Sequence, residues 1–208
     1  MKKAKGFTLI ELIIVIAVLL FVVGTAIGIF ISIVQHQRII LAEQELLNQV
    51  SYVLEHMSKA LRMAGKDSPV SPVKCLKDDL PGTNEYPGNN YLLTHPFYSF
   101  YTGIKFINQS DNNICQEFYL DNGVLKEKKS GLPAEGIALT SDKFYINSIK
   151  FGINGKNGSI VDSPVDGGNN FIQPRITIYL DIQIKEDDSQ SSKKIQTTIS
   201  QRDLNVSQ

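Results

Sequence analysis

The sequence predicts an α+β protein, in which a long N-terminal helix begins as a membrane segment and continues as an amphipathic helix against an antiparallel β-sheet head. Three observations predict it. Residues 7–34 are almost wholly apolar. Beyond them, apolar residues recur at steps of three and four as far as residue 64. From residue 66 onward the text is rich in Asn, Gly, Ser, Asp and Pro, interleaved with alternating apolar runs, as a soluble β-rich domain reads. The expected segments are a basic leader (1–6), an apolar helix (7–34), its amphipathic continuation (35–65) and a head (66–208).

The leader carries Lys2, Lys3 and Lys5, which predicts a cytoplasmic N-terminus and an extracytoplasmic head. Over the 208 residues Lys and Arg balance Asp and Glu at 21 each, so no basic field points to nucleic acid. As a helix, residues 7–34 span about 42 Å, more than the roughly 30 Å of a bilayer's hydrocarbon core. One residue is out of place there. Glu11 is the single charge in the segment, and a carboxylate at membrane depth costs about 2.5–3.5 kcal/mol. A cleaved secretory signal has a small-x-small site available at Gly24-Thr25-Ala26, but the apolar run continues past it. A plain signal anchor accounts for the length and the lysines and leaves Glu11 unexplained.

Leu46, Val50, Val53, Met57, Leu61 and Ala64 lie on one helical face, with Glu43, Glu45, Gln49, Glu55, Lys59 and Arg62 between them. Gly65, followed by Ser68-Pro69, reads as the C-terminal stop, giving a helix from about residue 7 to residue 64. The stripe needs a partner, either the chain's own strands or a second copy in a coiled coil. In the head, residues 175–185 alternate strictly, and 195–200 read as the strand that follows them. Residues 114–120 and 124–128 flank Asp121-Asn122-Gly123, a hairpin signal. Further strands are expected at 144–153, 97–100 and 104–107. Cys75 and Cys115 are permitted a disulfide in an exported head, with two separate buried thiols as the alternative.

Little points to catalysis. His36 and His56 fall on the helix and His95 in an expected loop, without metal-ligand spacing, and no nucleophile elbow or phosphate loop appears. No cofactor is implied. Asp162 and Asp166, with Asn169 and Asn170, offer oxygen ligands for calcium, but the spacing matches no EF-hand and the same text reads as a solvated loop.

Gly6-Phe7-Thr8-Leu9-Ile10-Glu11-Leu12 behind a short basic leader resembles the class III signal of type IV pilins and type II secretion pseudopilins. The resemblance covers roughly the first 35 residues. It implies that a prepilin peptidase cuts between Gly6 and Phe7 and methylates the new amine of Phe7. It implies further that Glu11 pairs with the amine of a neighbouring subunit, and that the partners are other pilin subunits after a stay in membrane lipid. Many major pilins carry a Pro where this chain has Gly28. "LRMAG", the large head and "IQTTISQR" resemble, more weakly, the J-type pseudopilin and related minor pilins. Two function classes follow: a structural subunit of a pilus or of a secretion or competence pseudopilus, or a membrane-tethered extracytoplasmic binding module that joins no fibre.

Overall fold

The computed structural model describes residues 6–67, 75–77, 89–131, 133, 135–155, 173–185 and 192–202. The architecture is α+β. One helix, α1 (Leu9–Arg62), precedes an antiparallel sheet. Its strands are β1 (Ala64–Gly65), β2 (Tyr91–Phe97), β3 (Phe100–Asn108), β4 (Ile114–Asp121), β5 (Val124–Lys129), β6 (Ile137–Ala138), β7 (Phe144–Asn154), β8 (Arg175–Ile184) and β9 (Lys193–Ser200). Their order is β6-β5-β4-β3-β7-β8-β9, with β1 and β2 also paired to β3.

The chain divides into two units at Glu45 and Leu46. In the first, no described side chain is buried, although its sequence is the most apolar in the protein. Leu, Ile, Val and Phe at every angle around a helix suit lipid on all sides. The helix is long and apolar enough to cross a membrane. The Thr25 hydroxyl donates to the Val22 carbonyl at 2.9 Å, so the polar atom is satisfied inside its own helix.

In the second unit the stripe finds its cover within the same chain. Leu46, Val50, Val53, Met57, Ala60 and Leu61 are buried in one cluster with Tyr91, Ile104, Phe106, Phe118, Ile149 and Ile178 of the sheet. Phe106 is the hub of its aromatic part, 6.3 Å from Tyr91 and 5.8 Å from Phe118 between ring centroids. Strands β7 and β8 alternate buried and outward residues, as a sheet with one covered face must. A bulge between Ile146 and Ser148 turns Asn147 outward. Its amide there donates to Asp181 Oδ1 at 3.1 Å and Gln183 Oε1 at 3.0 Å.

The β4–β5 hairpin turns on Asn122 and Gly123, at φ 49° and 78°. Both are left-handed, as a two-residue hairpin loop of the favoured hand requires. A side chain at Gly123 would also run into the Tyr145 ring.

Three expectations are corrected. The helix ends at Arg62, not at residue 64, because Ala64 and Gly65 pair with Asn108 and Ile107 of β3. Residues 97–100 are not a strand: Tyr98, at φ 51°, and Ser99 form the turn between β2 and β3. His95 stands in β2 and not in a loop.

The end of α1 is held by side chains and backbone from three distant segments. Tyr91 Oη donates to the Leu61 carbonyl at 2.7 Å, the Arg202 amide to Arg62 at 2.9 Å, and the Gln109 amide to Met63 at 3.0 Å. The last carbonyls of a helix lack partners in the helix itself, and here the sheet supplies them. Burial raises the Tyr91 hydroxyl far above the usual phenol range, so it stays a donor.

Candidate functional site

Gly6, Phe7 and Thr8 precede the helix without regular structure. Gly6 has open space around the position a side chain would take, and Phe7 is 82% exposed. The Gly6–Phe7 peptide bond therefore lies on irregular, exposed backbone just ahead of the first helical turn. Such a bond can enter a peptidase cleft without unwinding a helix. The leader lysines fall outside the described residues.

Thr8 caps the helix. Its hydroxyl oxygen accepts from the Glu11 amide at 3.4 Å, while Glu11 Oε2 accepts from the Thr8 amide and the Thr8 hydroxyl, each at 2.9 Å. The Leu12 amide closes the first turn onto the Thr8 carbonyl at 3.3 Å. This is a capping box, and a carboxylate three residues inside the cap also complements the positive end of the helix dipole. Glu11 thus has a local role that the sequence reading missed. Its signal in the sequence is the Thr8-x-x-Glu11 spacing, which the charge of Glu11 by itself does not convey. Only Oε2 is engaged among the described residues, so Oε1 keeps its accepting capacity.

In the head, Cys75 and Cys115 are joined by a disulfide, with Cα atoms 5.5 Å apart across a sequence separation of 40. With Leu76 and Leu92 they form a small apolar cluster beside the main core. Asp67 Oδ2 accepts from the Leu76 amide at 2.8 Å, a second tie on the same segment.

The histidines lie apart in separate surroundings. His36 is exposed on α1. His56 Nε2 lies 3.2 Å from Glu127 Oε2. The buried Glu127 also accepts from the Gln116 amide, which in turn accepts from Asn108 at 2.8 Å. His95 Nε2 lies 3.3 Å from Glu117 Oε1, which also accepts from the Thr94 hydroxyl at 2.7 Å. Burial pushes the Glu117 carboxyl up, but the His95 and Thr94 hydrogen bonds and the Lys105 charge together bring it below the ordinary carboxylate range. Glu127 thus ties β5 to β4 and to α1, and Glu117 ties β4 to β2. Among the described residues no three His, Cys, Asp or Glu side chains gather as a metal site. Asp162 and Asp166 lie outside the described residues.

Residues 1–27 match the family model described as the prokaryotic N-terminal methylation motif. No curated protein and no solved structure matches the chain. The match takes in Gly6, Phe7, Thr8 and Glu11, the residues whose geometry is given above. It supports the type IV pilin and pseudopilin class, and with it a prepilin-type substrate of a prepilin peptidase and a structural subunit in preference to an enzyme.

Proposed function

We propose that this prepilin-type chain is a minor subunit of a type IV pilus or of a secretion or competence pseudopilus, cut between Gly6 and Phe7, N-methylated at Phe7, and assembled through α1. The observation that carries the reading is the methylation motif over residues 1–27, joined to a helix whose first part buries no side chain of its own. A helix apolar all round has two suitable surroundings, lipid before assembly and the helices of sister subunits after it.

Residues 1–6 are the leader, 7–34 the membrane and assembly segment, 35–65 its amphipathic continuation, and 66–208 the extracytoplasmic head. The leader lysines hold the scissile bond at the cytoplasmic face. Cleavage leaves a cationic amine on Phe7, four positions from Glu11. The Thr8 cap holds Glu11 Oε2 in place and leaves Oε1 for the amine of a neighbour. A buried carboxylate is tolerated when it is paired and hydrogen-bonded, so the cost of carrying Glu11 is relieved on assembly.

The test is the intact mass of the chain after co-expression with a prepilin peptidase. Loss of Met1 to Gly6 and gain of one methyl group are expected, and Gly6→Leu should block the cut by placing a bulky side chain at the scissile bond. Efficient cleavage of the Gly6→Leu protein at the same bond contradicts the reading. Recovery of an intact Met1 from membranes containing the peptidase favours a tethered binding module instead.

A further inference from the structure

At the end of α1 the head carries an open cup of about 750 Å³, lined by Lys59, Arg62, Ser110, Thr198, Ser200 and Arg202 together with Met63. Its cations converge for identifiable reasons. Lys59 and Arg62 are three residues apart on one helix and share a face. Arg202 is brought beside Arg62 by the hydrogen bond from its amide to the Arg62 carbonyl. Thr198 and Ser200 alternate on the outward face of β9, with Ile199 buried between them. No carboxylate of a described residue lines the cup.

Among the described residues the charges do not cancel locally. Lys59 is engaged by Glu55 at 2.8 Å on the exposed face of the helix. The Arg62 and Arg202 guanidinium groups have no partner among the described residues. Of the hydroxyls, Ser110 donates to Asn108 and Thr198 shares a hydrogen bond with Thr177, while that of Ser200 is uncommitted among the described residues. The negative end of the α1 dipole opposes an anion here with about half a charge, and its last carbonyls are already occupied by Tyr91, Arg202 and Gln109. Two guanidinium charges, unpaired among the described residues, outweigh it.

We infer that this cup is an anion site for a phosphate-type group. Two guanidinium forks and the Ser200 hydroxyl ask for an oxyanion with at least three acceptor oxygens and more than one negative charge, which a single carboxylate lacks. The volume leaves room for a phosphate carrying a group of glycerol or sugar size. The phosphate could be dissolved or could be a lipid head group, and the experiment separates the two.

The full chain, labelled with 15N-arginine in neutral detergent micelles, is titrated with inorganic phosphate while the arginine Nε–Hε resonances are followed. Saturable shifts of Arg62 and Arg202 are expected, weakened about tenfold or more by Arg62→Gln and by Arg202→Gln, each of which removes a charged hydrogen-bond donor. Lys128→Gln, which removes an exposed charge on β5, should leave the affinity unchanged. If Arg62→Gln disturbs the helix end, Arg202→Gln alone carries the test, since the Arg202 side chain is exposed. Doping the micelle with an anionic phospholipid that shifts the same resonances and competes with phosphate identifies a lipid head group, and shifts with dissolved phosphate alone identify a soluble source. Shifts that rise linearly without saturating, or an equal loss on Lys128→Gln, overturn the site.

Discussion

Residues 9–45 and 46–62 belong to the same α-helix, yet the first stretch contains no buried side chain and the second contains six. The more apolar stretch is the one its own fold leaves uncovered. The less apolar stretch, with its charges set between the hydrophobic positions, is packed against a sheet. Hydrophobicity alone therefore does not tell what a helix packs on. A stripe of period three to four asks for a partner with one face, whereas an apolar surface all round asks for a surrounding phase. One helix carries both instructions in sequence, and only the second is answered within the chain.

The comparison can be broken at either end. The largest expected effect falls in the uncovered stretch and shows only in assembly. Glu11→Leu should leave cleavage, membrane residence and head stability unaltered, because it makes the segment more apolar and lies beyond the proposed cut. On the proposed pairing, a neighbour's Phe7 amine would be left buried without its partner at a cost of about 3–5 kcal/mol, so the protein should be depleted in sheared or cross-linked fibres relative to membranes. Normal incorporation would remove the pairing role from Glu11.

On the packed side, replacing both Cys75 and Cys115 by Ser opens a loop spanning a sequence separation of 40. Chain entropy sets the expected loss at about 4 kcal/mol. Denaturant titration of the full chain in detergent should show the head melting earlier, with the helicity of the apolar stretch retained. Leu61→Ala removes a fully buried side chain from the helix–sheet core and should cost about 3 kcal/mol, within the usual span for such cavities. Ile13→Ala, an equally drastic truncation at an exposed position, should leave the head's midpoint where it was. An equal loss from both would show that the two stretches are not energetically separate.

The smallest effect is one of pH. The folded state holds the Glu117 carboxyl below its ordinary range, so its contribution is complete above the unfolded value and is lost as acidification passes the folded one. Stability measured downward from neutrality should decline more shallowly in Glu117→Gln than in the parent. Identical acid profiles would take Glu117 out of the account.

Much of this was legible in the residues. The stripe from Leu46 to Leu61 was readable because the packed face of a helix imposes its period on the sequence. β8 was readable because one covered face imposes strict alternation, and the β4–β5 turn because Asn-Gly tolerates left-handed backbone. β2 escaped notice because His95-Pro96 interrupts its pattern and His95 is itself left-handed, at φ 53°. Aromatic density at residues 97–100 imitated a strand where the chain turns. β1 has only two residues and exists through its pairing with β3, which no local pattern announces. At the candidate site the Gly6-Phe7 junction and the Glu11 carboxylate stand out by residue type. The Thr8 cap does not, since its meaning depends on where the helix starts.

The bonds that close the end of α1 also set an order in time. Gln201 donates to the Ala64 carbonyl across 137 positions, and the neighbouring Arg202 amide holds Arg62. A ribosome makes Ala64 long before it makes Gln201, and contacts so distant in sequence form late and slowly. Throughout that interval the stripe from Leu46 to Leu61 has no finished sheet to lie on. A chain carried across a membrane as it is made would spend that wait outside the cell's ATP-driven chaperones. Gln201 and Arg202 follow β9, the last described strand, so a nascent head lacks these latches until β9 has been delivered.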